Sequence, residues 1–284
     1  MERKNVYICM LAALLSCSDS VKVSRTLDAM PAIFPDYNGV VIPPNMAPLN
    51  FALDDQDAGS RAVFSFGGQQ FEVKGENGSI VIPPSKWKKL LESAAGDSIQ
   101  VTVQVKQGNE WVAYSPFAIR VAPEKVDSYL AYRLIDPGYE LWNKMGIYQR
   151  DLESYTQIPI IENKMSGNNC VNCHSFCMQD PNKMLFHMRE TFPGTILVDG
   201  DKIEKLNTKT KETISSLVYP SWHPSGKYVA FSVNTTKQAF HLNDRNRVEV
   251  YDEASDVVVY DVEKHEIVTA SNIFSKDAFE TFPT

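Results

Sequence analysis

The sequence predicts a mainly β chain, and three observations carry that prediction. Apolar and polar residues alternate over Val101, Val103 and Val105, and again over Phe117, Ile119 and Val121, the period of a half-buried strand. Val63, Phe64 and Phe66 stand on one side of Gly67-Gly68, with Phe71 and Val73 on the other, which is a hairpin signature. Farther on, Tyr219-Pro220-Ser221-Trp222-His223-Pro224-Ser225-Gly226-Lys227-Tyr228-Val229-Ala230-Phe231-Ser232 reads as a strand, a Pro-Ser-Gly turn and a second strand.

In chain order, residues 1–16 have the form of an export signal: Arg3 and Lys4, then an apolar run from Val6 to Leu15 too short to span a bilayer. Leu14-Leu15-Ser16-Cys17 has the shape of a lipobox, so cleavage before Cys17 and lipidation of Cys17 are expected. That places the protein on the periplasmic or cell-surface face, lipid-anchored to the outer membrane. Asp19 is too little to choose between the two faces. Residues 17–30 form a polar tether.

Residues 31–123 hold the short alternating strands and turn residues of a β-sandwich of immunoglobulin or fibronectin type. One helix interrupts them, from Lys86 to Ala95, with Ser85 as N-cap, Trp87, Leu90, Leu91 and Ala94 on one face and Gly96 as the stop. Residues 124–165 are an aromatic-rich connector holding Tyr129, Tyr132, Tyr139, Trp142, Tyr148 and Tyr155 around an Asp136-Pro137-Gly138 turn. Residues 191–284 begin a β-propeller, with further strands over Asp256 to Val262 and Glu266 to Ala270. Glu280-Thr281-Phe282-Pro283-Thr284 restarts the motif of Tyr219 onward. A propeller closes with about four to eight blades, and this stretch holds material for about one and a half, so a truncated propeller is expected.

Between connector and propeller, residues 166–190 carry the chemistry. Cys170-Val171-Asn172-Cys173-His174 is the attachment pattern of a c-type haem. Two thiols add to the two porphyrin vinyl groups, and the histidine that follows binds the iron. A dithiol, a disulfide or half a zinc site uses the same Cys-x-x-Cys. A thioredoxin-like dithiol would open a helix after a strand, whereas this one follows the polar Met165-Ser166-Gly167-Asn168-Asn169. A second Cys-x-x-Cys for zinc is missing. Of five cysteines, Cys9 lies in the leader, Cys17 takes lipid and Cys177 is left over. The export signal agrees with haem, since attachment takes place outside the cytoplasm.

His174 is then the proximal iron ligand. For the sixth position His187 is the first choice, on a strand expected from Met184 to Arg189. His223 and Met188 follow, with Met184 and Met178 behind them, and an open site would allow peroxidase-type chemistry. Arg133, Arg150 and Arg189 are candidates for the haem propionates. His241 and His265 read as structural, and Asp252, Glu253 and Asp256 as a solvated acidic face rather than a calcium site.

The chain resembles a family of lipoproteins of Bacteroidetes-type bacteria that join a lipobox leader, a β-sandwich, a Cys-x-x-Cys-His-Ser-Phe segment and TolB-like propeller repeats. The residues that carry the resemblance are Ile42-Pro43-Pro44-Asn45, Tyr132-Arg133-Leu134-Ile135, Asn172-Cys173-His174-Ser175-Phe176, Phe186-His187-Met188-Arg189, Trp222-His223-Pro224-Ser225-Gly226, and Glu249-Val250-Tyr251-Asp252 with Ser255-Asp256. The resemblance implies architecture more than activity. His223 and Ser225 depart from the usual serine and aspartate of the TolB-like repeat.

The 284 residues are 43% hydrophobic and 22% charged, enough for a sizeable core, and the net charge of −7 argues against nucleic acid as partner. No nucleophile elbow or His-Glu-x-x-His is present. The expected function is one-electron transfer by a mono-haem lipoprotein to a redox partner or another exported protein. The rival is a surface lipoprotein whose propeller binds glycan or peptide and whose Cys-x-x-Cys is a structural staple.

Overall fold

The computed structural model describes residues 21–53, 59–135, 144–211, 213–243, 245, 248–268, 270, 272–273, 275 and 277–284. The export signal, Cys17, Tyr139, Trp142 and the Asp136-Pro137-Gly138 turn lie outside them. Twenty-one strands and one α-helix are found among the described residues, so the chain is mainly β, in several sheets with no closed barrel. It divides into two compact units, the first up to Ser128 with Leu152–Ser154, the second Tyr129–Asp151 with Tyr155–Thr284.

The first unit contains β1 (Val23–Thr26), β2 (Ile33–Phe34), β3 (Val41–Ile42), β4 (Phe51–Leu53), β5 (Ser60–Phe66), β6 (Gln69–Lys74), β7 (Ser79–Ile80), α1 (Pro84–Ala94), β8 (Ser98–Gln107), β9 (Glu110–Ala113) and β10 (Phe117–Val121). Strand β8 is the spine of a seven-stranded sheet: β9 and β10 pair along one edge and β5 along the other, with β6 beyond β5. The alternation read in the sequence is the burial pattern, since Val101, Val103, Phe117 and Ile119 are all buried. Gly67 (φ +55) and Gly68 (φ +78) make the β5–β6 turn, which needs left-handed backbone at both positions. That register stacks Phe64 on Phe71, ring centroids 5.1 Å apart.

A second, three-stranded sheet, β2-β4-β7, shares one core with the first: Ile33, Phe51, Leu53 and Ile80 cluster with Phe64, Val101 and Ile119. Helix α1 closes this core with the four residues expected, Trp87, Leu90, Leu91 and Ala94. Its start differs from the sequence reading. Ser85 is not the cap; the helix begins at Pro84, with Pro83 in the cap position and no side-chain cap bond. Proline suits the first helical turn, where its missing N–H costs nothing.

The second unit is three antiparallel sheets in sequence order. The first is β11 (Tyr129–Ile135), β12 (Met145–Asp151) and β13 (Gln157–Glu162). The second is β14 (Cys170–Phe176), β15 (Lys183–Arg189), β16 (Gly194–Asp199) and β17 (Lys202–Leu206). The third is β18 (Val218–Trp222), β19 (Tyr228–Phe240), β20 (Val248–Asp261) and β21 (Glu266–Val268). Strand β14 lies against β12 and β18. The middle sheet buries both faces: Met184, Phe186 and Met188 cluster with Ile147 and Val171, while Leu185 and Leu197 cluster with Leu217, Val229 and Phe231. Hence β15 reads as a near-continuous apolar run.

Within residues 124–165, the stretch 129–162 carries the sheet β11-β12-β13, and β11 is largely exposed with no apolar period. The Cys-x-x-Cys-His segment is not a unit of its own but the first strand of a four-stranded sheet.

Trp87 is 1% exposed, meets Phe64 edge-on at 6.0 Å and donates its indole N–H to the Met46 carbonyl at 3.0 Å. Trp87→Ala should lower the stability of the first unit by about 3–5 kcal/mol, seen as a lower denaturant midpoint.

Candidate functional site

The site is built on β14. Its pairing with β15 runs Cys170↔Arg189, Val171↔Met188, Asn172↔His187, then jumps to Ser175↔Leu185. Cys173 and His174 are therefore the two residues of a β-bulge, both facing Phe186. Cys173 adopts left-handed backbone, φ +53. A bulge re-aims side chains out of strict strand alternation and is a common device beside functional sites. The Asn172 Oδ1 accepts the Cys173 N–H at 2.8 Å and an Arg133 N–H at 2.6 Å, tying the bulge to β11.

Cys170, Cys173 and Cys177 are free thiols. In a paired strand, residues three apart are separated by about 10 Å, too far for a disulfide until the bulge rearranges. Cys170 is buried, and burial pushes its thiol pKa up against the pull of Arg189 and Arg133. His174 is half-buried with its ring edge-on to Phe176, centroids 6.3 Å apart. Burial pulls the imidazole below its ordinary value, a bond with the Ala131 backbone pushes it up, and Arg133 pulls it down again, with a net lowering.

For a covalent porphyrin, Cys170 and Cys173 would supply the thiols, His174 an imidazole, and Arg133 and Arg189 guanidinium groups for carboxylates. Arg133 and Arg189 both act on Cys170, and neither is in an ion pair among the described residues. Arg150 sits elsewhere on β12, with an N–H 3.5 Å from Gln157 Oε1.

The other candidate ligands have different surroundings. His187 is 3% exposed and its Nδ1 lies 3.2 Å from Thr195 Oγ1, its register partner on β16. Burial, helped by Arg189, depresses its pKa to about 4. Hydrogen-bonded strands flank it on both sides, so a macrocycle between His174 and His187 would require β14 and β15 to part. His223 occupies the exposed β18–β19 turn, where its Nδ1 meets Ser225 Oγ at 2.8 Å. Met184 and Met188 are buried in the cluster around Val171, and Met178 is exposed. Cys177 is a buried small apolar residue, its pKa raised mainly by burial; a Cβ at Gly226 would lie 3.2 Å from its Sγ. His241 pairs with Glu249 at 3.0 Å and His265 Nδ1 with the Tyr260 hydroxyl at 3.0 Å. Asp252 accepts from Asn234, and Glu253 pairs with Lys237.

The sequence reading missed Tyr219. Strand β18 repeats the bulge of β14: its register jumps from Val218↔Ser232 to Ser221↔Ala230, and Tyr219 has φ +50. Cys173-His174-Ser175 is thereby equivalent to Tyr219-Pro220-Ser221. Burial raises the Tyr219 pKa most, and Cys173, Arg189, Asp252 and Arg133 all act on the phenol. The available signal was the shared serine two residues beyond each bulge position. His187 in β15 then corresponds to Ser232 in β19, whose hydroxyl accepts the Phe282 N–H at 2.8 Å.

No protein-family model and no curated protein matches the chain. Among solved structures, a DUF4784 family protein from Bacteroides caccae is similar at a TM-score of 0.22 and 7% identity, over 81% of this chain and 67% of that one. That likeness carries no argument about fold or function.

His187 gives a pH test of this arrangement. With an ordinary pKa near 6.5 when unfolded and about 4 when folded, the unfolded chain takes the proton first as pH falls. Stability is therefore full above pH 6.5 and is lost between there and pH 4, by roughly 3 kcal/mol. Urea midpoints at pH 7.5 and 4.5 should differ by less in His187→Gln than in the natural chain.

Proposed function

We propose that this chain is an exported mono-haem c-type lipoprotein that passes single electrons to a partner protein. The observation that carries the reading is Cys170-x-x-Cys173-His174 on one strand with both thiols free and Arg133 and Arg189 acting on Cys170. Cys170 and Cys173 would hold the porphyrin through thioethers, His174 would bind the iron, and the two arginines would hold the propionates. Bound haem supplies a one-electron couple; the protein supplies the axial base, the cations and the partial burial that tune it.

We read His187 as a structural residue and leave it out of iron coordination, because Thr195 and the strand pairing already hold it.

In this reading the first unit is an immunoglobulin-like sandwich, supported by two sheets around one core. The second unit is the start of a TolB-like propeller, supported by successive antiparallel sheets and by a bulge repeated in β14 and β18. Cys17 would take the lipid that holds the protein at the periplasmic or cell-surface face of the outer membrane. A second reading, a binding lipoprotein for glycan or peptide, is supported by a cleft of about 390 Å³ lined by Glu204, Asn207, Thr210, Tyr260 and His265.

Expression in a host with cytochrome c maturation machinery, followed by a haem stain of a denaturing gel, tests the proposal. A stained band that disappears in the Cys170→Ser/Cys173→Ser double variant is expected. A folded, unstained natural chain beside a stained control cytochrome would put the binding reading in front.

A further inference from the structure

Left-handed backbone recurs at one position of the repeat. Cys173 (φ +53), Tyr219 (φ +50) and Phe282 (φ +51) are each followed, two residues on, by Ser175, Ser221 and Thr284. Phe282 is anchored beside β19 and β20, through its N–H to Ser232 and through the Glu280 N–H to the Ser255 carbonyl at 3.2 Å. A side chain other than glycine is strained in this region of backbone. Cys173 and Tyr219 share one register position, Phe282 holds the matching place in the sequence repeat, and the rings of Tyr219 and Phe282 are far from fully buried. Those rings meet edge to face, centroids 4.7 Å apart, yet Tyr219 remains 37% and Phe282 57% exposed.

The two rings rest on each other and keep part of their faces open. The equivalent place in β14 is an attachment thiol. Strand β18 therefore offers aromatic carbon where β14 offers sulfur, and the two strands lie side by side. A large flat apolar group fixed to Cys173, with carboxylates for Arg133 and Arg189, is the ligand that such surroundings suit. Aromatic rings favour offset or edge contact with a flat π-system, adding to the area buried.

We infer that Tyr219 and Phe282 form an aromatic shelf that receives the haem held at Cys170 and Cys173; the inference rests on the haem reading given above. Tyr219 and Phe282 contact the macrocycle and shield it from solvent, and they take no part in attachment.

The test compares holoprotein of the natural chain with Tyr219→Ala, Phe282→Ala and the conservative Tyr219→Phe. Each is examined by its Soret band and by the rate at which hydrogen peroxide bleaches the haem. The expected result is equal covalent haem in all four, a shifted Soret band and severalfold faster bleaching in the two alanine variants, and natural behaviour in Tyr219→Phe. Tyr219→Asn, which suits left-handed backbone, takes the place of Tyr219→Ala should that variant fail to fold. Phe240→Ala, at an exposed position of β19, is the control and should change nothing. Unaltered spectra and bleaching in both alanine variants, with haem attached, would overturn the shelf and leave the haem reading standing. A natural chain without covalent haem would overturn both.

Discussion

The β-bulge at Cys173–His174 is the constraint on which the rest of the second unit depends. Strand β14 is packed on two sides, its Val171 against Ile147 of β12 and its neighbours against β18, so its backbone has little freedom. A regular strand would send Cys173 and His174 to opposite faces. The extra residue leaves both of them opposite Phe186, next to Asn172 and its bond from Arg133. The site's chemistry is therefore a local exception held in place by a regular sheet, the usual relation between strained backbone and rigid surroundings.

That arrangement separates two kinds of histidine. His174 lies on the bulge, half-buried and with its base form favoured by burial. His187 lies one register pair away, inside the ladder, hydrogen-bonded to Thr195 and almost without exposure. Sequence distance alone ranks His187 as a ligand able to fold back over the iron. The pairing of β14 with β15 and of β15 with β16 sets His187 inside the ladder.

Much of the first unit was legible in the sequence, because its strands have one buried face and its turns have glycines that need left-handed backbone. Val101, Val103, Phe64, Phe71 and the face of α1 follow directly from period and punctuation. The cap of α1 was not, since Ser85 has the chemistry of a cap but Pro84 claims the first helical position. In the second unit legibility fell. Strand β11 is largely exposed, and the outer half of β19, through Thr236 and Lys237 to Phe240, is polar and exposed, so no period marked either. Of the site, the motif itself was plain. The equivalence of Cys173 and Tyr219 was hidden, because a thiol and an aromatic ring share no chemistry; only backbone conformation and register join them.

The most direct measurement of the central claim is the intact mass of the denatured protein after treatment with a thiol alkylator. A covalent haem at Cys170 and Cys173 predicts a chain heavier by one haem in which, of Cys170, Cys173 and Cys177, only Cys177 is alkylated. A chain without the added haem, alkylated at all three, would contradict it.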